Sequence, residues 1–219
     1  MSPRLFLAFE KHRDEFEEHE WYNAYLRCLM GPYKHCEIAY ECDRIMVRVT
    51  VFAPDARHWD DRVFRTPSRY DNVEEWNFLQ IPCTHDQLVA INDELKAQEQ
   101  REDRYSALSM FKSGLPDAIP DFVARMFISH EFEPSDTTKV DGNTHCTKIC
   151  LRALHAAGML VNQPDDRTTA SDLYILALEH LEAIPTSDPI PEVSAVDSAG
   201  FLKSQHTLMN ELWGRLAGS

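Results

Sequence analysis

The chain has 219 residues, 43% of them hydrophobic, which suits one globular domain of ordinary size plus an appendage. Its formal net charge is −14 and no basic stripe appears, which argues against nucleic acid or an anionic membrane surface as partners. No run approaches the length of a membrane-spanning helix, and the opening Met-Ser-Pro-Arg-Leu-Phe lacks a signal-peptide pattern.

Residues 4–29 read as a helix, with Leu5, Phe9, Phe16, Trp21, Tyr25 and Cys28 roughly at helical spacing amid many charges. Gly31-Pro32 then turns into a strand over residues 34–40. Residues 44–53, rich in β-branched side chains, form the clearest strand in the chain. Glu41-Cys42-Asp43 would link the two as a hairpin. Residues 54–72 read as charged and irregular, and residues 73–83 as a short third strand.

Thr84 and Gln87 match a capping box that opens a helix running to about Arg104, with Leu88, Ile91 and Leu95 inward. Residues 105–131 are apolar-rich, with no single period, and a loop from Glu133 leads to Asn143. A helix follows, with Ile149, Ala153, Ala156 and Ala157 on one side, Cys150 and Leu154 beside them, and Gly158 closing it. Asn143 or Thr144 would be its N-cap. A further helix covers Asp172–Leu181. Pro185, Pro189 and Pro191 mark a linker, giving a domain over 1–184 and an appendage over 185–219. Phe201, Leu208, Leu212 and Leu216 form an apolar stripe over residues 199–217, a contact surface for the domain itself, a second copy or another protein.

Two stretches carry chemistry. Cys146 falls in the first turn of its helix, where unpaired N–H groups and the positive end of the helix dipole favour a thiolate and could hold an oxyanion. A nucleophilic thiol also needs a base. His35 is the best one, because strand alternation places it on one face with Glu37, whose carboxylate could orient the ring. Asp43 or Thr50 could do so instead. The bland readings are a small buried cysteine and a strand histidine bonded to a backbone carbonyl. Cys150, one turn on, reads as core, and His145 as solvent-facing.

The six cysteines, at 28, 36, 42, 83, 146 and 150, lack a secretory context and are expected to be free thiols in a cytoplasmic setting. His35, Cys36, Cys42, His145, Cys146 and Cys150 could supply zinc ligands. However, the usual Cys-x-x-Cys spacing is missing and Cys36 points away from His35 on a strand, so no metal and no cofactor is expected. Tyr33 and Trp76 read as core aromatics before cleft-lining ones.

The order Gly31-x-x-x-His35-x-Glu37, then a hairpin, then Cys146-Thr147-x-x-Cys150-Leu151-x-Ala153-Leu154 ending in Gly158, resembles the circularly permuted branch of the NlpC-type papain-like superfamily. That branch includes the YaeF/YiiX group and poxvirus relatives. Residues 25–182 carry the likeness, including Thr169-Ala-Ser-Asp-Leu-Tyr174 after the cysteine helix. Lys148 departs from it, standing where an acidic residue is common, and residues 54–72 have no counterpart. The resemblance implies an α+β fold with a small antiparallel sheet packed on the cysteine helix. It implies Cys146 as nucleophile, His35 as base and Glu37 as third residue, acting on a peptide, amide or ester through an acyl-enzyme. It also allows a catalytically silent binding or scaffold protein, and is compatible with a viral origin.

Overall fold

The computed structural model describes residues 3–12, 30–42, 45–51, 62–67, 70, 72–114 and 143–186. Six strands form one sheet: β1 (Leu5–Lys11), β2 (Tyr33–Cys42), β3 (Ile45–Thr50), β4 (Phe64–Pro67), β5 (Trp76–Ile81) and β6 (Ile184–Thr186). Their spatial order is β4-β3-β2-β1-β5-β6, and each neighbouring pair is antiparallel. The helices are α1 (His85–Gln100), α2 (Ala107–Ser113), α3 (Cys146–Ala156) and α4 (Ala170–His180). α3 and α4 lie against β2, and α1 packs on α3. The class is α+β, with an antiparallel sheet and helices on one of its faces.

The start of the chain corrects the helix expected over residues 4–29. Residues 5–11 are β1, one of the two central strands of the sheet and paired on both sides, with β2 and β5. Leu5, Leu7 and Phe9 enter the core shared with the helices, while Phe6 packs with Ala39 and Met46 on the opposite face. A strand buried on both faces reads as an unbroken apolar run, so Leu-Phe-Leu-Ala-Phe shows no alternation. Residues 13–29 lie outside the described residues.

β2 and β3 pair from Ile38 opposite Val49 to Cys42 opposite Ile45. Glu41 and Cys42, expected in the link, are thus still part of β2, and residues 43–44 lie outside the described residues. Within the segment expected to be irregular, Phe64–Pro67 adds β4 to the edge. Pro67 lacks an N–H donor and suits an edge strand. Residues 73–83 do hold a strand, β5, after a 3₁₀ turn at Val73–Glu75.

The Thr84 capping box is present: Gln87 N–H donates to Thr84 Oγ1 at 3.2 Å and Thr84 N–H donates to Gln87 Oε1 at 2.8 Å. It opens α1, whose Ile91 and Leu95 are fully buried, with Leu88 against the same core. The helix stops at Gln100, short of Arg104, because Glu102 takes a left-handed backbone (φ 53°). α4 has a second capping box between Thr169 and Asp172.

The boundary expected between residues 184 and 185 falls inside β6. Pro185 stands opposite Leu79, so the chain stays in the sheet to Thr186. Residues 199–217 and their apolar stripe lie outside the described residues. Among the described residues, no helix is long and apolar enough to cross a membrane.

Candidate functional site

Cys146 is the first residue of α3, as its position in the sequence suggested, but the helix is entered differently. Its N-cap is His145, with an extended backbone (φ −147°, ψ 171°) and no side-chain capping bond. The Asn143 side chain is committed elsewhere, and Thr144 Oγ1 is buried without a hydrogen-bond partner, only its backbone being engaged. Asn143 Oδ1 accepts from Arg104 N–H at 2.9 Å and its Nδ2 donates to Asp103 at 2.8 Å. Thr144 bridges Tyr105, and its carbonyl accepts from Ser106 N–H at 2.7 Å. The first-turn amides of α3 thus lack a side-chain acceptor from the N-cap, which leaves them oriented toward whatever approaches the Cys146 end.

The rest of α3 is nearly engulfed: Thr147, Ile149, Cys150, Leu151, Ala153 and Leu154 are all buried, while Ala156 is exposed. Gly158 closes the helix with φ 73°. Met159 N–H donates to Leu154 O at 2.9 Å and Gly158 N–H to His155 O at 2.9 Å, a Schellman end.

His145 corrects the expectation of a solvent-facing side chain. It is fully buried, and its Nδ1 lies 2.9 Å from Ser109 Oγ on α2. Burial first, then the nearby Lys148 charge, depresses its pKa to about 3, so the ring is neutral.

Strand β2 supplies the base. His35 and Glu37 share one sheet face, with Glu37 fully buried and His35 nearly so. Thr50 Oγ1 lies 2.9 Å from His35 Nε2, and Glu37 Oε1 lies 3.3 Å from the same nitrogen. Arg48 Nη1 donates to Glu37 Oε2 at 3.3 Å. Trp76 stands edge-on to the imidazole, with ring centres 6.3 Å apart. Tyr33 is a core aromatic, stacked near Phe9 and Tyr174 and accepting from Asn77 at 2.6 Å.

The structure brings Cys146 and His35 near one another, close enough that each shifts the other's protonation. Cys36, on the other face of β2, also reaches α3. Its Sγ is 3.6 Å from Thr147 Oγ1 and 3.9 Å from Cys150 Sγ, and it is near enough to Cys146 to raise that thiol's pKa. Strand parity correctly separates Cys36 from His35, yet the first turn of α3 lies near both.

The electrostatics follow from burial. Burial opposes charge on Glu37, but His35 and then Arg48 outweigh it and hold its pKa below the usual carboxylate range. The nearby Cys36, then burial, pushes the Cys146 thiol well above the usual range, against a downward pull from His35. Burial also lowers His35, but a Cys146 thiolate and Glu37 together raise it to about 10. That elevation needs the thiolate. Burial favours the uncharged form of the pair, with the proton on sulfur. Glu37 then has Arg48 as its counter-ion.

The sequence left the orienting group open between Glu37, Asp43 and Thr50. Glu37 and Thr50 reach the ring, and Asp43 lies outside the described residues. Arg48 was missed, although Arg48 and Thr50 alternate on β3 and so share a face. Among the described residues, no cluster of three or more His, Cys, Asp or Glu side chains is arranged to hold a metal ion. Cys36, Cys83, Cys146 and Cys150 are free thiols. Compared with protein-family models, curated proteins and solved structures, the chain matches none.

Proposed function

We propose that the chain is a papain-like cysteine hydrolase or acyltransferase of the circularly permuted kind, acting on an amide, peptide or ester carbonyl. The observation that carries this reading is a helix-start thiol near an imidazole whose Nε2 is met by Thr50 and Glu37. His35 takes the proton of Cys146 as the sulfur adds to the carbonyl carbon. The uncapped first-turn amides of α3 hold the oxyanion. The imidazolium, steadied by Glu37, then gives its proton to the leaving amine or alcohol. Water or another acceptor, deprotonated by His35, releases the acyl group and restores the thiol. Glu37 and Thr50 are positioning residues, fixing the tautomer of the ring.

One observation favours a second reading. A thiol held above its usual range in a buried setting is unreactive until something opens the site. A papain-like binding or scaffold protein without chemistry fits that state. An electrophilic acyl probe separates the two. The enzyme reading expects covalent labelling that disappears in Cys146→Ala, falls in His35→Ala and survives in Cys150→Ala. Labelling unchanged in Cys146→Ala refutes it.

A further inference from the structure

Cys36 has no part in acyl transfer, yet it lies within a cluster of sulfurs. Thr147 Oγ1 is a common neighbour of two of them, 3.6 Å from Cys36 Sγ and 3.9 Å from Cys146 Sγ. Cys36 Sγ is also 3.9 Å from Cys150 Sγ, near van der Waals contact. Cys36 and Cys150 are fully buried, while Cys146 retains slight exposure (5%). One sulfur is therefore reachable by a small oxidant, and a second stands behind it, shielded from solvent.

We propose that Cys36 is a resolving thiol for Cys146, so that a peroxide converts the pair into a disulfide joining β2 to the start of α3. In the first step the Cys146 sulfur attacks one peroxide oxygen. The O–O bond breaks, the sulfur is oxidised to sulfenic acid, and the other oxygen leaves as water with the thiol proton. In the second step the Cys36 sulfur attacks the Cys146 sulfur. The S–O bond breaks, and the departing hydroxide takes the Cys36 proton as water. Each peroxide consumes two thiols and forms one S–S bond and two waters.

The shared neighbour Thr147 places both sulfurs on one side of the first turn of α3. Side-chain rotation where the strand and the helix meet has to bring them to about 2 Å apart. A bridge within α3 is the poorer alternative, because Cys146 and Cys150 are one helical turn apart and diverge. The bridge would consume the proposed nucleophile and spare it from irreversible oxidation, and a dithiol would restore it. The inference needs an oxidisable Cys146 sulfur but no acyl chemistry, so it stands or falls separately from the enzyme reading.

The test uses the full chain treated with hydrogen peroxide, blocked with an alkylating agent and digested without reduction. Trypsin cuts after Lys34 and Lys148, so Cys36, Cys146 and Cys150 fall in three different peptides, and fragmentation distinguishes Cys36 from Cys42. The expected product links Cys36 to Cys146, is lost on dithiothreitol treatment, and lowers the denatured thiol count from six to four, since one bridge uses two of the six cysteines. In Cys36→Ser, the same peroxide dose should carry Cys146 on to sulfinic acid. Sulfinic acid on Cys146 of the wild type with Cys36 still free, a bridge to Cys150 alone, or six intact thiols would each overturn the proposal.

Discussion

At the scale of single residues, His35 is held by two groups of different kinds. Thr50 sits nearer to Nε2, at 2.9 Å, than Glu37 does, at 3.3 Å. Glu37 carries charge and is shared with Arg48; Thr50 carries none. Their removal should therefore separate. Glu37→Gln keeps a hydrogen-bond acceptor but removes the charge that stabilises an imidazolium, so it should slow acylation by the probe about 10- to 100-fold and shift the pH–rate profile toward acid. Thr50→Val removes one hydrogen bond, worth about 1 kcal/mol, and should slow the reaction roughly 5- to 10-fold with the profile unmoved. Equal effects on rate and profile from both variants would show that the carboxylate charge plays no part. The placement of Cys146 at a helix start and of His35 beside Glu37 on one strand face was legible because helix-start position and strand parity are local properties. The burial of His145 was not, because it depends on Ser109 arriving from α2.

At the scale of elements, legibility followed the exposure of each element. α1, half exposed, announced itself by a capping box and a spaced apolar face. β1 announced nothing, because burial on both faces erases the alternation by which a strand is recognised. The short edge strands β4 and β6 were hidden in charged or Pro-containing segments, since pairing across the sheet, not local preference, makes them strands. Two turns give a measurable contrast. Gly31 and Gly158 both have left-handed backbones, φ 75° and 73°. At Gly158 an added Cβ meets nothing within 4 Å, so Gly158→Ala should cost only the backbone term, about 1 kcal/mol. At Gly31 the Cβ would come within 2.6 Å of Ser171 Oγ, which accepts from Tyr33 N–H and donates to Met30 O. Gly31→Ala must displace that hydroxyl, loosening the join between α4 and the start of β2, and should cost about 2–4 kcal/mol. Denaturant midpoints of the two variants check this; equal losses would show that Ser171 yields freely.

At the scale of the whole molecule, acid acts in two opposed ways. The chain carries a formal charge of −14, so mild acidification lowers its self-repulsion and favours the compact state. His145 works the other way. Its folded pKa, about 3, lies below the ordinary histidine value of 6.5, so between those limits the unfolded chain binds a proton that the folded chain refuses. Stability from this residue is full above about pH 6.5 and is lost as pH falls toward 3, at about 1.4 kcal/mol per pH unit. The other shifted groups act in other windows. Glu37, depressed below the carboxylate range, loses its contribution only below about pH 4.5. His35 is raised to about 10 only against a Cys146 thiolate, and whatever it then contributes is lost as pH rises from 6.5 through 10, outside the His145 window. The interval from pH 6.5 to 5 therefore isolates His145, where it should remove about 2 kcal/mol, or roughly 4–8 °C of melting temperature for a chain of this size. His145→Gln keeps an amide to meet Ser109 but cannot take a proton, and leaves Lys148, Arg152 and Asp165 in place around it. Whatever its stability at pH 7, the variant should lose several degrees less than the wild type across that interval, because surface repulsion is nearly common to both. Parallel melting curves for the two proteins between pH 6.5 and 5 would mean that His145 accepts its proton without unfolding, and that its burial is not what sets the acid limit of the fold.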